Sequence, residues 1–137
     1  MSNKDTIENK ISLVRKYLAR LEVYKKYSRE EIENDQFISG SLERYLYLVV
    51  QATIDTAEAM IAYRKLRKPA TLREEFEVLS EAEIISSELA TKLMNMVGFR
   101  NVIAHDYTKL DYGVVHDVLH ERLGDIDEFL KIVGKAI

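Results

Sequence analysis

Only five glycines and one proline punctuate the 137 residues. This scarcity of turn formers limits the fold more than any other feature of the chain. A sandwich or barrel of many short strands needs a turn every few residues, most of them built on glycine or proline. Long uninterrupted helices need few. Apolar residues at 47% and charged residues at 31% give the balance of one folded domain, taken to span 1–137. Cysteine is absent, which excludes disulfides, thiolate metal sites and a cysteine nucleophile. The polar start, Met1 to Thr6, has no signal-peptide core behind it, and no window approaches the ~20 apolar residues of a membrane span. The expectation is a soluble cytoplasmic domain with no membrane partner.

Apolar spacing supports the helical reading. Ile7, Ile11, Val14, Leu18 and Leu21 recur at four and three, the seam of an amphipathic helix over about 5–27. Ser28 with Glu31 has the capping-box arrangement, and Asp35 stands where the next long helix begins. From 36 to 63 two stripes interlace, Leu42, Tyr45, Val49 and Leu46, Val50, Ile54, Ile61, which marks a central helix with neighbours on several sides. It stops before Pro69. Thr71 with Glu74 and Ser80 with Glu83 predict a short helix near 72–79 and a longer one from about 81 towards Gly98, with Ile85, Leu89, Leu93 and Met96 inside. Beyond the 98–112 segment, Val114 to Val133 predict a last helical stretch bent at Gly124. The expected architecture is all-α: an up-and-down bundle of four long helices plus short ones.

Candidate chemistry is concentrated in one place. Between Met96 and Tyr107 the sequence sets Arg100, Asn101, His105, Asp106 and Tyr107 within eight positions. An imidazole can take or give a proton, and a guanidinium can stabilise charge growing on a phosphate. RNA carries its own nucleophile in the 2′-hydroxyl, so phosphodiester cleavage here needs neither metal nor cofactor. At ~100° per residue, Asn101 lies beneath His105, whereas Arg100 is turned roughly 140° away. Convergence requires the arginine to curl back, the helix to end, or a two-fold dimer to bring two motif segments to one cleft. The competing reading is an Arg–Asp surface pair beside a structural histidine, and spacing alone leaves both open.

His116 and His120 share a helix face at metal-chelating spacing, but no third ligand is evident, and surface histidines are the expected reading. The net charge of −3 gives no bulk attraction to nucleic acid, so binding would need a local patch. Arg64, Lys65, Arg67 and Lys68 could contact phosphate, although a run at a helix end more commonly complements the helix dipole. Tyr107 or Tyr112 could stack on a base; Tyr17, Tyr24, Tyr45 and Tyr63 fit a core or interface.

Arg100-Asn101-x-x-x-His105-x-Tyr107 resembles the Arg-x4-His-x-Tyr signature of HepT-like toxins, in the superfamily of higher eukaryotes and prokaryotes nucleotide-binding (HEPN) domains. Leu48 to Asp55 is similar to that family's second helix, Met96 to Asn101 to its lead-in, and Asp125 to Phe129 to its closing pattern. The resemblance implies a dimeric helical bundle with the motif at the dimer cleft. It implies a metal-independent endoribonuclease, the toxin of a type VII-like toxin–antitoxin system, with Arg100, His105 and Asn101 catalytic. It further implies a minimal nucleotidyltransferase antitoxin that neutralises the toxin by AMPylating Tyr107. The alternative is a non-catalytic binding subunit of such a complex. Glu58 and Ala59 replace the Asn-His pair common at the end of the family's second helix, and Ala104 replaces a larger apolar residue.

Overall fold

The computed structural model describes residues 3–105 and 110–137, with His105 described by its backbone alone. Seven α-helices are found among the described residues: α1 (Asn3–Glu22), α2 (Arg29–Asn34), α3 (Gln36–Tyr63), α4 (Glu74–Glu81), α5 (Ser87–His105), α6 (Tyr112–Asp117) and α7 (Leu123–Lys135). A 3₁₀ turn, Val23–Lys26, follows α1, so the stretch expected as one helix to residue 27 tightens at its end. None of these helices is long and apolar enough to cross a membrane.

The long helices alternate in direction. Ile7, Val14 and Leu21, seven apart and fully buried, lay α1 along α3. Tyr24 donates to Ser41 and Arg20 to Tyr45, so residue numbers rise on one helix as they fall on the other. Arg15 pairs with Asp127 at 3.0 Å, and Leu18 and Glu22 share a cleft with Leu123, which makes α7 antiparallel to α1. Lys92 approaches Asp125 while Met96 and Phe99 face Val118 and Val114, so α5 is antiparallel to the α6–α7 stretch. This is the expected up-and-down bundle, with α3 at its centre: Leu42, Leu46, Val49, Ile54, Ala57 and Met60 are all fully buried. Phe76 of α4 meets Phe129 of α7 edge to face, with centroids 5.7 Å apart, and closes the core.

Several helix starts follow their sequence signals. Ser28 and Glu31 form a complete capping box, and Asp35 Oδ1 accepts from the amides of Phe37 and Ile38. Thr71 accepts from the amide of Glu74, whose carboxylate reaches back to the amide of Ala70. The Ser80–Glu83 box does not form. Here α4 runs through Ser80 and ends in a turn with Glu83 at φ 61°, where the amide of Ile84 returns to the carbonyl of Leu79. That bond lays the half-buried Ile84 against the core, and Ser86 caps α5 through the amide of Leu89. The end of α3 repeats the device, with Lys65 at φ 54° and Leu66 bonded back to Ile61.

Two further expectations are corrected. Gly98 does not end its helix; α5 continues to His105 because Val97 and Ile103, both buried, anchor it on either side. The irregularity expected at Gly124 lies earlier, as a π turn over Val118–Arg122. Val115, Leu119 and Leu123 are spaced by fours, which drift roughly 40° per step round a regular helix, and the wider turn absorbs that drift.

Candidate active site

Arg100 occupies a position in α5 where the packing calls for an apolar side chain. Leu93, Met96, Val97 and Ile103 are buried, and Arg100 lies on the same inward line, half-buried. It therefore points at α3 rather than into solvent. Its Nε donates to Gln51 Oε1 at 3.0 Å, and its guanidinium carbon stands 5.1 Å from the centroid of the Tyr47 ring. Nη1 donates to Asn101 Oδ1. Among the described residues none takes Nη2.

Gln51 is itself oriented. Its Nε2 donates at 2.9 Å to Asp55 Oδ1, and a carboxylate can only accept, so the amide carbonyl must face the arginine. Tyr47, Gln51 and Asp55 recur every fourth residue on α3 and form one polar stripe beside α5. The sequence reading did not single them out; an uncharged amide and a tyrosine at that spacing in an apolar helix were the available signal.

The stripe continues to Glu43, eight residues before Gln51. Glu43 is 8% exposed and accepts from the Tyr112 hydroxyl at 3.3 Å. Burial pushes its carboxyl above the usual range, and the Tyr112 bond draws it part of the way back. Burial likewise raises the Tyr112 phenol. Tyr112 opens α6, whose cap is Asp111 accepting from the Gly113 amide at 2.7 Å. A side chain at Gly113 would meet that carboxylate at 3.0 Å and the Arg29 guanidinium at 3.4 Å, so it would crowd the capping carboxylate. One helix, α3, thus holds the chain at Arg100 and again at Tyr112, on either side of the His105–Tyr107 part of the motif. Tyr107 lies outside the described residues, as does the side chain of His105. Asn101 is exposed one helical turn before His105.

Other candidates are placed elsewhere. Arg64 donates to the Ala136 carbonyl, thirteen residues and roughly 20 Å beyond Gln51 along α3. Arg67 is clamped by Glu81 and Glu74, with N–O distances of 2.8 and 3.1 Å. Lys65 and Lys68 are exposed beside them. His116 and His120, expected at the surface, are each half-buried, with tilted rings 4.2 Å apart between centroids, and burial above all, followed by His116, holds His120 below its ordinary value. No group of three metal-ligating side chains exists among the described residues.

The whole chain has relatives. A curated mRNA nuclease HepT of Shewanella oneidensis is 29% identical over 130 residues, covering 94% of this chain and 96% of its own length. A tRNA nuclease HepT of Aphanizomenon flos-aquae is 31% identical over 110 residues, 77% of this chain and 71% of that protein. The solved structure of a tri-AMPylated HEPN toxin of Shewanella oneidensis in complex with MNT antitoxin superposes with a TM-score of 0.89 at 28% identity, covering 100% of both chains. The sequence model of the ribonuclease HepT-like family matches residues 9–133, and with this span, this fold and the Arg100–His105 motif the chain belongs to the HepT-like ribonuclease family.

Proposed function

We propose that this protein is the toxin of a toxin–antitoxin pair and acts as a metal-independent endoribonuclease on single-stranded or looped RNA. The observation that carries the reading is the posture of Arg100. Gln51 and Asn101 hold two of its nitrogens, Tyr47 supports its face, and none of the described residues takes Nη2, which we assign to a substrate oxygen. The bond to Asn101, which lies beneath His105, brings the guanidinium back towards the histidine's side of the helix. This bond supports the reading that the arginine curls back towards the histidine.

In this mechanism His105 takes the proton from a 2′-hydroxyl, and that oxygen attacks the adjacent phosphorus. The bond to the 5′-oxygen breaks, and the leaving oxygen takes a proton from an imidazolium, either the same ring or the partner's His105 in a two-fold dimer. The products are a 2′,3′-cyclic phosphate and a 5′-hydroxyl. Arg100 stabilises the charge that builds on the phosphoryl oxygens, and Asn101 fixes the arginine. A minimal nucleotidyltransferase neutralises the toxin by transferring AMP to Tyr107. The added phosphodiester repels incoming RNA, and the adenosine fills the groove. The tri-AMPylated relative supports this part of the reading.

Purified protein incubated with RNA in EDTA should cleave it, while Arg100→Ala and His105→Ala should not, with helical circular dichroism unchanged. Full activity in His105→Ala would refute the assignment, and loss of wild-type activity in EDTA would refute metal independence. Free protein that leaves RNA intact but still binds its nucleotidyltransferase would be a non-catalytic binding subunit instead. Coexpression with that enzyme should add whole AMP units to the wild type and none to Tyr107→Phe.

A further inference from the structure

A net charge of −3 means that RNA must be drawn by a local cluster of cations. The run at residues 64–68 is partly consumed by Glu74, Glu81 and the Ala136 carbonyl. A different arginine stands beside the motif. Arg44 lies one helical turn before Tyr47 on α3, is exposed, and has its guanidinium carbon 5.9 Å from the centroid of the same ring that supports Arg100. Their charges are therefore at most about 11 Å apart, within reach of neighbouring phosphates on one strand.

Other arginines of this chain are bound into its structure. Arg15 pairs with Asp127, Arg67 with Glu74 and Glu81, and Arg122 with Asp117. Arg20 both covers Tyr45 and bonds its hydroxyl. Among the described residues Arg44 meets only the ring of Tyr47. No carboxylate among them pairs directly with Arg44 or with Arg100, whose bonds are to neutral amides. Two guanidiniums gathered around one aromatic ring beside a nuclease motif are arranged for an anion carrying more than one phosphate.

We propose that Arg44 and Arg100, assembled on Tyr47, form a two-guanidinium site for neighbouring phosphates of single-stranded RNA, with Arg100 at the scissile group and Arg44 at an adjacent one. The proposal rests on the nuclease reading for the role of Arg100, while Arg44 itself binds and does not catalyse. Its contribution is to affinity and register along the strand.

The test uses a fluorescent, uncleavable 2′-O-methyl oligonucleotide and the full chain, read by anisotropy across a salt series. Arg44→Ala should weaken binding ~5-fold or more and reduce the slope of log affinity against log salt by ~0.7, one single-strand phosphate contact. Lys16→Ala, which removes the same charge from an exposed site on α1, should leave both unchanged. On cleavable RNA, Arg44→Ala should raise KM with kcat little altered. Wild-type affinity and salt slope in Arg44→Ala would overturn the proposal, as would an equal loss in Lys16→Ala. If the wild type binds in an Arg44-dependent way but cleaves nothing, the nuclease reading fails and the phosphate site stands.

Discussion

Glu75 provides a direct test of how this core handles charge. It sits on α4 against α3, is 4% exposed, and its Oε2 has no hydrogen-bond partner among the described residues. Burial first, then the nearby Glu58 and Asp55, lift its carboxyl from 4.5 to about 7. In the unfolded chain the group ionises near its ordinary value. Between about 4.5 and 7, therefore, the folded state holds a proton that the unfolded state has released, and stability falls as pH rises through that window. At ~1.4 kcal/mol per pH unit the decline attributable to this residue is ~3 kcal/mol, fully present below the window and gone above it.

Glu75→Gln removes the titration while keeping the size and an amide in the same unpartnered place. Any packing or hydrogen-bond cost is common to all pH values, so the informative quantity is the change in the mutational effect between pH 5 and pH 8. The variant should gain up to ~3 kcal/mol relative to wild type over that interval. Urea titrations at the two pH values, with equal m, would read it as a shift in midpoint. Glu58→Gln should recover a smaller share, since Glu58 is the lesser cause. A Glu75→Gln effect of the same size at both pH values would show that the carboxylate is solvated in the folded protein, and would refute the reasoning.

Lys65→Gly and Glu83→Gly should each stabilise the fold by ~0.5–1 kcal/mol in thermal or urea melts, because both residues hold a left-handed φ that a side chain disfavours. Tyr112→Phe strands the buried Glu43 and should cost ~1–3 kcal/mol, measured the same way. Arg100→Lys should leave the helical fold intact yet fail to restore cleavage, since an ammonium cannot bond Gln51, Asn101 and a phosphate oxygen in one plane; wild-type turnover by this variant would contradict the held-guanidinium account.

The bundle was legible because its signals are local. Ile7, Val14 and Leu21 declare their helix by spacing, Ser28 and Asp35 cap where short-range hydrogen bonding puts them, and Thr71 ties the turn that leads into α4. Ser80–Glu83 carries the same signature as Ser28–Glu31, but the choice between them is made by tertiary packing. Ending α4 at Glu81, with Glu83 in the turn, packs Ile84 against the core and buries Ile85, which a helix start at Ser80 would have redirected. Gly98 lies inside α5 for the same reason, its helix being held by buried neighbours rather than by propensity. Arg100, Asn101 and His105 could be picked out because their chemistry is unusual and contiguous. Arg44, Tyr47 and Gln51 could not, since their meaning depends on α3 lying beside α5, some fifty residues away in sequence.

That dependence bears on how the site would work. A free arginine side chain holds ~2 kcal/mol of rotamer entropy and a full hydration shell, both of which an encounter with substrate would have to remove. Here much of that ordering is done on folding: one nitrogen is fixed by an amide that Asp55 has already oriented, a second by Asn101, and one face by Tyr47. The partners are neutral, so they orient the guanidinium without cancelling its charge, as a carboxylate in the place of Gln51 would. Half-burial keeps the desolvation cost modest while lowering the local dielectric felt by an approaching phosphate. A stabiliser whose geometry is set before substrate arrives favours the transition state over the ground state. The carboxylate that orients this array, Asp55, bonds to Gln51 and not to the arginine, one residue removed from the chemistry.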